Sequence, residues 1–556
     1  MKSRIAIFLL ALCAIPAACQ QPDAVQQSLK DEMARSMASF KSRSTPPYYL
    51  AYELTDNHAY RIGAEYGVVI HSNESWTRNL DVDLRVGDPK LDNTHPLRER
   101  GMGEGQLSRR PIPIENDALA LRTAIWAETD RKYRSALERL AAVKANQQVK
   151  VQGEDASGDF SSAPPARYFE DGKPFSFDPR QWEQKLAEFT SVFKTAEVEV
   201  GQAELTAESE TRRFVNSEGS EIRMSQTLYR LLIETTIKAD DGMELPVYRT
   251  FAAFTPEGLP SDAELKAAFA EVLSDARKLK AAPVADAYTG PAILSGRSSA
   301  VFFHEIFGHR VEAQRQKLED EAQTFRKKVN EPVLPADFSV FSDPTLKHMG
   351  KLELLGYYPY DDEGVKAQRV TVVSQGVLKN FLMSRSPIEN FPASNGHGRR
   401  QQGFAVVARQ SNLIVESSKT VPRAQLKNLL IEQVKLANKP YGLLFDDIEG
   451  GFTFTQRGIP NAFNVLPTMV YRVYPDGREE LVRGVDLIGT PLIAFSKIIA
   501  ADDEVGVFNG ICGAESGWVP VSAISPGILT SQIEVQRKQK SQSRPPLLPA
   551  PPQAGK

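Results

Sequence analysis

Two histidines lie five residues apart in one short segment, His304-Glu305-Ile306-Phe307-Gly308-His309. The chain has only 7 histidines among 556 residues, so this pairing is informative. Two imidazoles are common ligands of a catalytic zinc ion, and a carboxylate beside them is a common general base. The segment predicts a metal site with His304 and His309 as ligands and Glu305 as the base. The alternative is an ordinary amphipathic helix with one exposed and one buried histidine.

The spacing of the two histidines constrains how this segment can fold. On a regular α-helix, side chains five residues apart point in directions that differ by about 140°, so one ion cannot easily bind both. The helix must therefore be bulged, or must end, near Gly308. A π-type turn would return both histidines to one face, and glycine is the residue that best tolerates a distorted backbone.

The first half of the chain combines helical and alternating apolar–polar segments, which predicts an α+β domain with an antiparallel sheet. We expect helices over residues 23–43, 116–145, 180–194 and 261–279. The segments 48–54, 60–71 and 76–86 predict a three-stranded meander with turns at residues 56–57 and 73–74. Three further strands are expected over residues 196–206, 210–215 and 221–238, the last two joined by a turn at 216–220. Ala281-Ala282-Pro283 marks the expected end of this domain.

The second half predicts a mainly β domain that carries one metal-binding helix. A strand is expected at residues 290–294, and Ser298 or Ser299 can cap the motif helix, which would extend to about Lys328. Strands and glycine-rich turns are expected over residues 332–536. The predicted domains are therefore 23–283 and 288–538, followed by a proline-rich disordered tail at 541–556.

The N-terminus has the pattern of an export signal. Lys2 and Arg4 precede an apolar stretch, Ile5 to Ile15, that is too short to span a bilayer. Residues 1–18 are therefore predicted to be a signal peptide. Cys19 follows two small residues, as in a bacterial lipoprotein processing site, and the alternative is ordinary cleavage. We expect an exported protein, either periplasmic or anchored to the membrane through a lipid on Cys19.

The cysteine count and the net charge narrow the function further. Of the three cysteines, Cys13 lies inside the predicted signal and Cys19 at its end, so Cys512 is effectively alone. A lone thiol cannot form an internal disulfide, and it is either a small buried apolar residue or a third metal ligand. The net charge of −3 gives no electrostatic argument for nucleic-acid binding.

Several blocks of the second half, in this order and spacing, resemble the TldD/PmbA family of metallopeptidases. These blocks are Gly296 to Glu312, Tyr360 to Gly364, Gly376 to Lys379, Asn395 to Arg400, Gly450 to Phe454, and Cys512-Gly513 leading to Val519-Pro520-Val521. The resemblance implies one zinc ion held by His304, His309 and Cys512, with Glu305 as the base. It also implies a PmbA-like partner, although the export signal leaves a homodimer equally open.

The resemblance further implies that unfolded peptides bind as an added strand in a cleft and are hydrolysed there. Two alternatives are a zinc hydrolase acting on a non-peptide amide or ester, and a peptide-binding subunit whose metal is structural or absent. Several residues keep two interpretations. His397, Arg399 and Arg400 are either oxyanion-stabilising or structural. Residues 361–363 either form a second metal site or cap a hairpin. Glu312 either supports the site or forms a surface ion pair.

Overall fold

The computed structural model describes residues 23–97, 109–146, 155–173, 175–318, 321–453, 455 and 463–538. The predicted signal peptide, Cys19 and the proline-rich tail lie outside these residues. No helix in the described ranges combines the length and apolar character needed to cross a bilayer.

A long β-hairpin begins the N-terminal sheet. It consists of β1 (Pro47–Glu65) and β2 (Val68–Asp88), joined at Tyr66 and Gly67, whose φ angles are 46° and 82°. Two positive φ values are typical of a tight type I′ hairpin turn. The predicted three-stranded meander is therefore wrong. Asp56, expected in a turn, lies inside β1 opposite Arg78 and forms an ion pair with it. This aspartate is therefore not a turn residue but one half of a cross-strand charge pair.

The rest of this sheet is antiparallel apart from one short strand. Its order is β3-β2-β1-β6-β7, with β5 and β8 both paired to β7. The predicted break near residue 208 is wrong, since β6 is continuous, whereas the turn at 216–220 is present. The strands are β3 (Leu91–Asp92), β4 (Arg110–Pro111), β5 (Arg167–Phe169), β6 (Val198–Asn216), β7 (Glu221–Lys238) and β8 (Glu244–Ala253).

Four helices, each expected from the sequence, cover one face of the N-terminal sheet. They are α1 (Ala24–Phe40), α2 (Ala118–Asn146), α3 (Pro179–Thr190) and α4 (Asp262–Ala281). Alternate residues of the strands, such as Leu54 of β1 and Leu231 of β7, are buried beneath these helices. The intervening residues, such as Glu53 of β1 and Arg230 of β7, face a cleft that the C-terminal half also lines.

The C-terminal half is mainly β, as predicted. Its large mixed sheet has the order β14-β13-β10-β17-β23-β21-β19-β18-β9, with β20 paired to β19 and β22 paired to β23. Its strands are β9 (Tyr288–Leu294), β10 (Phe338–Ser342), β13 (Val370–Ser374), β14 (Val377–Leu378), β17 (Asn412–Ser417), β18 (Gly442–Thr453), β19 (Phe463–Val473), β20 (Glu479–Val482), β21 (Val485–Gly489), β22 (Ile498–Ala514) and β23 (Gly517–Arg537). Two small ribbons pair β11 (His348–Met349) with β12 (Leu352–Glu353) and β15 (Gly398–Arg399) with β16 (Val407–Ala408).

The motif helix is shorter than the sequence predicts. Helix α5 (Gly296–Ile306) begins directly after Ser295, so Ser298 and Ser299 lie in its first turn and are not its cap. Gly296 allows β22 to approach the first turn of the helix closely, because a Cβ there would lie 2.4 Å from the backbone nitrogen of Gly506. A 3₁₀ turn at Gly308–Val311 and the short α6 (Gln314–Lys317) follow, so the predicted extension to Lys328 is wrong.

Two further helices of this half were not predicted, α7 (Arg423–Leu436) and α8 (Pro491–Ser496). Leu426, Leu430 and Val434 of α7 repeat every four residues and pack against Ile293 and Leu529 of the large sheet. This spacing is the signal by which α7 is recognisable in the sequence.

Candidate metal centre

Helix α5 carries the first candidate ligand at its C-terminal end. The helix packs against β18, β22 and β23 of the large sheet. Val301, Phe302, Phe303 and Ile306 are all buried there, so the apolar half of the motif anchors its polar half. His304 and Glu305 are 2% and 8% exposed. Both side chains are therefore held by packing before any ligand binds.

The end of α5 brings His309 towards His304. The helix stops at Ile306 and a 3₁₀ turn begins at Gly308, which places the two imidazole ring centres 5.1 Å apart. Of the two predicted distortions, the structure therefore has the helix end. Gly308 does not have a positive φ. A Cβ on it would lie 1.8 Å from Oε1 of Gln410, so a larger residue here would have to displace the Gln410 amide, whereas the backbone conformation itself does not need glycine.

Cys512 joins the two histidines from the distant strand β22. Its Sγ lies 3.3 Å from Nε2 of His304 and 3.3 Å from Nε2 of His309. Ligand atoms around a tetrahedral zinc ion lie roughly 3.3–3.7 Å apart, because the bonds are ~2.0–2.3 Å long. Both sulfur–nitrogen distances fit zinc, and the three ligand atoms all lie within 4.8 Å of one another. Three protein ligands around a tetrahedral ion leave a fourth position for water or substrate. Among the described residues no other group of three such ligand atoms converges.

Glu312 supports one of these ligands from behind. It is fully buried, and its Oε2 lies 3.2 Å from Nδ1 of His309 and accepts a 3.0 Å hydrogen bond from Nε of Arg315. A hydrogen bond at Nδ1 fixes the imidazole so that Nε2 is free to bind a metal. Of the two interpretations of Glu312, the structure favours a residue that supports the site and contradicts a surface ion pair, because Glu312 is buried against His309. Nδ1 of His304 has no such partner among the described residues.

Two residues of this site have no local signal in the sequence, Arg409 and Gln410, which directly follow β16. Arg409 is fully buried, and its Nη2 donates to the carbonyl oxygen of Cys512 at 2.8 Å and to its Sγ at 3.2 Å. Gln410 donates from Nε2 to the carbonyl oxygen of His304 at 3.2 Å. The short segment between β16 and β17 therefore holds both the cysteine and the end of the motif helix.

Electrostatics favour a thiolate at this site. Burial raises the pKa of the Cys512 thiol, but His309, His304 and Arg409 lower it more, so the pKa lies well below its usual range. Burial lowers the pKa of His309, but Cys512 and Glu312 raise it to about 10. Without a metal, this pair therefore forms an ion pair, and a bound cation would replace the imidazole proton.

The carboxyl groups of the site differ in the direction of their shifts. Burial raises the pKa of Glu305, although His304 and His309 act in the opposite direction. Burial also raises the pKa of Glu312, but His309 and then Arg315 lower it to about 2. Glu312 is thus held as a carboxylate, whereas Glu305 binds a proton more readily than an ordinary glutamate.

The remaining candidates lie in other surroundings. His397 is fully buried, and its Nε2 lies 2.9 Å from Oγ of Ser342. Burial lowers the pKa of His397 to about 3. Arg400 pairs with Glu53 at 3.1 Å. These contacts favour the structural interpretation of both. Oδ1 of Asp361 accepts the backbone N–H of Glu363 and of Val365, as expected for a residue that caps a turn.

Two cavities lie beside β22. One, of about 510 Å³, is lined by residues of β7 and β8 and by residues 507–511 of β22. The other, of about 530 Å³, is lined by the cleft face of the N-terminal sheet together with Tyr358, Arg399, Ile511 and Trp518. Ile511 borders both cavities and directly precedes Cys512. Strand β22 therefore leads from both cavities to the candidate ligand Cys512, although His304, His309 and Cys512 are not among the residues that line either cavity.

The family model described as "PmbA/TldA metallopeptidase C-terminal domain" matches residues 287–537. A curated metalloprotease of Archaeoglobus fulgidus is 29% identical over 237 residues, which cover 43% of this chain and 51% of the relative. A zinc metalloprotease TldD homolog of Saccharolobus solfataricus is 24% identical over 249 residues, covering 44% of this chain and 51% of that protein. The matched regions span only about half the length of these relatives.

Two solved structures share the fold over most of the chain. TldE from Thermococcus kodakarensis superimposes with a TM-score of 0.61 at 13% identity, covering 92% of this chain and 100% of the other. A protein of Thermotoga maritima described as a putative modulator of a DNA gyrase gives a TM-score of 0.58 at 16% identity, covering 91% and 99%. At these identities the likeness concerns the fold alone.

Proposed function

We propose that this chain, which belongs to the TldD/PmbA family of metallopeptidases, is a zinc-dependent peptidase that cleaves unfolded peptides. The observation that carries the proposal is the convergence of His304, His309 and Cys512, whose ligand atoms all lie within 4.8 Å of one another. A catalytic zinc site has three protein ligands and one open position, whereas a structural site has four protein ligands. The donor set therefore favours catalysis over a structural role.

A zinc ion bound by these three residues would supply a Lewis acid that polarises a carbonyl group and acidifies water. The protein has to supply the proton acceptor. Glu305 lies beside the site, with Oε2 4.0 Å from Nε2 of His309, and its burial raises its pKa. A carboxylate in this setting can accept a proton from water and return it to the leaving amine.

The chain offers an unpaired strand edge for the peptide. From Val505 to Ala514, β22 pairs with β23, and no other described strand pairs with its second edge. The cavity of about 510 Å³ follows residues 507–511 of this strand. A peptide added to this edge would form main-chain hydrogen bonds of little sequence preference and would reach Cys512. We propose this edge as the substrate-binding strand.

We further propose that the protein acts outside the cytoplasm and as a dimer. The export pattern of residues 1–18 and the cysteine at position 19 support export, with or without a lipid on Cys19. The family resemblance supports either a second copy of this chain or a PmbA-like partner. Fractionation of cells with a Cys19→Ala variant, together with light scattering of the purified protein, tests both points.

The central experiment measures metal content and casein hydrolysis of the full-length protein beside Cys512→Ala. Val521→Ala is the matched control, because Val521 is a buried apolar neighbour of Cys512 that offers no ligand. We expect about one zinc per chain in the wild type and the control, and a loss of both zinc and activity in Cys512→Ala. Zinc retained by an inactive Cys512→Ala would contradict the ligand set. A wild type without zinc or cleavage would instead favour a peptide-binding subunit.

A further inference from the structure

Arg399 is a buried arginine without an acidic partner among the described residues. It is 7% exposed, and Nη1 donates to the carbonyl oxygen of Gln410 at 2.8 Å. Two other arginines that line the same cavity are paired, Arg212 with Asp362 and Arg400 with Glu53. Buried charges in proteins are normally paired, since an isolated buried charge is strongly destabilising. Arg399 therefore differs from these two neighbours, and its guanidinium group is available to pair with an anionic ligand.

The guanidinium group of Arg399 lies among groups of both charges. Burial lowers its pKa to about 10; Tyr358 and Cys512 raise the pKa, whereas Arg409 and Arg212 lower it. The guanidinium carbon lies 4.8 Å from the ring centre of Tyr358, which fixes the orientation of the planar group. A planar, oriented guanidinium is well suited to bind a carboxylate through two parallel hydrogen bonds.

The position of Arg399 connects this group to the proposed substrate path. Its side chain lines the cavity of about 530 Å³, which Ile511 and Trp518 also line. Ile511 is the last residue of β22 before Cys512, and it borders the cavity along the strand edge as well. An anion bound to Arg399 would therefore lie in the cavity that adjoins the point where the peptide reaches the metal ligands.

We propose that Arg399 binds a carboxylate group of the substrate peptide. The inference rests on the proposed peptidase function and adds a substrate class to it, namely peptides with a carboxylate near the cleavage point. Two sources share this chemistry: the C-terminal carboxylate of the peptide and the side chain of an internal Asp or Glu. The first would favour removal of C-terminal residues, and the second would favour cleavage beside acidic residues.

The test measures peptide binding by calorimetry to the zinc-loaded, full-length Glu305→Gln variant, which should bind without cleaving. One peptide pair differs only in a C-terminal carboxylate or carboxamide, and the second only in an internal Glu or Gln. We expect the carboxylate member of one pair to bind roughly 10- to 100-fold more tightly, as for a charge-assisted hydrogen bond. The pair that discriminates identifies the source. Equal binding within both pairs would overturn the proposal.

The matched variants are Arg399→Gln and Lys347→Gln, each added to Glu305→Gln. Both remove one positive charge from the lining of the same cavity, but Lys347 is exposed whereas Arg399 is buried. We expect Arg399→Gln to abolish the preference for the carboxylate peptide and Lys347→Gln to retain it. Arg399→Lys, which keeps the charge without the planar fork, should restore part of it. A preference that survives in Arg399→Gln would overturn the proposal.

If Arg399→Gln does not fold, a competition experiment still tests the proposal. It uses the zinc-loaded Glu305→Gln protein with Arg399 and Lys347 unchanged. N-acetylglycine should displace a bound C-terminal-carboxylate peptide better than N-acetylglycinamide does, and acetyl-glutamate-amide should displace an internal-Glu peptide better than acetyl-glutamine-amide. Equal displacement by both members of each pair would overturn the inference. Failure of the proposed peptidase function would give a different result. The wild type would then not cleave peptides, but the preference for the carboxylate peptide in binding would remain.

Discussion

Arg409 donates from one guanidinium nitrogen to both the carbonyl oxygen and the sulfur of Cys512, at 2.8 and 3.2 Å. The same side chain lies 3.4 Å from Oε1 of Glu312, whose other oxygen lies against His309. Arg409 and Glu312 therefore connect two of the three candidate ligands, although the ligands themselves are 203 residues apart. The sulfur is oriented by this contact as well as by the strand that carries it.

We predict that Arg409→Met weakens zinc binding by about 10- to 100-fold, because residues that orient metal ligands contribute this much to affinity. Chelator competition measures the change. Arg409→Lys should recover part of the affinity, since an ammonium can still donate to the sulfur. In cobalt-substituted protein the sulfur-to-metal absorption band should shift in Arg409→Met. An unchanged band and an unchanged affinity would contradict the orienting role.

We predict that Glu305→Gln lowers peptide hydrolysis by roughly 10²- to 10⁴-fold, the usual contribution of a general base. Zinc content should remain that of the wild type, because Glu305 is not among the three ligands. Atomic absorption of the purified variant beside a casein assay separates the two effects. A variant that loses its zinc would show instead that Glu305 is itself a ligand.

We predict that Gly308→Ala destabilises the protein by about 1–3 kcal/mol, since the new methyl group meets the amide of Gln410. The amide must move and would lose its hydrogen bond to the carbonyl oxygen of His304. Urea denaturation measures the change. Adding Gln410→Ala to Gly308→Ala should cost less than the sum of the two single changes, because the clash is then absent. Strict additivity would exclude the clash as the cause.

We predict a pH-dependent effect of Glu210→Gln on the free energy of unfolding. Burial raises the pKa of Glu210 from 4.5 to about 7, although Arg212 opposes the shift. A raised carboxyl pKa contributes stability that is fully present below the unfolded value and is lost as the pH rises through the folded value. The variant should therefore gain stability relative to the wild type between pH 4.5 and 8. Urea denaturation at both pH values measures the difference, and a constant difference would contradict the shift.

The α+β class of the first half, the mainly β second half and the four N-terminal helices could be predicted from the sequence. These features follow from apolar periodicity, which is a local property. The continuity of β1 through residues 56–57 and of β6 near residue 208 could not be predicted. Aspartate is typical of turns, so Asp56 predicts a turn when only its local sequence is considered. Its ion pair with Arg78 depends on the register of the hairpin, which the local sequence does not determine.

The features of the candidate site also divide into those that the local sequence predicts and those that depend on distant segments. His304, Glu305 and His309 could be singled out because they lie within six residues, and their spacing alone requires the helix to change before His309. The helix end, the space that Gln410 leaves for Gly308 and the orientation of Cys512 depend on segments more than 100 residues away. The sequence by itself thus determined which side chains could bind a metal. The tertiary structure decided their convergence, because only packing brings β22 and the segment that follows β16 to the end of α5.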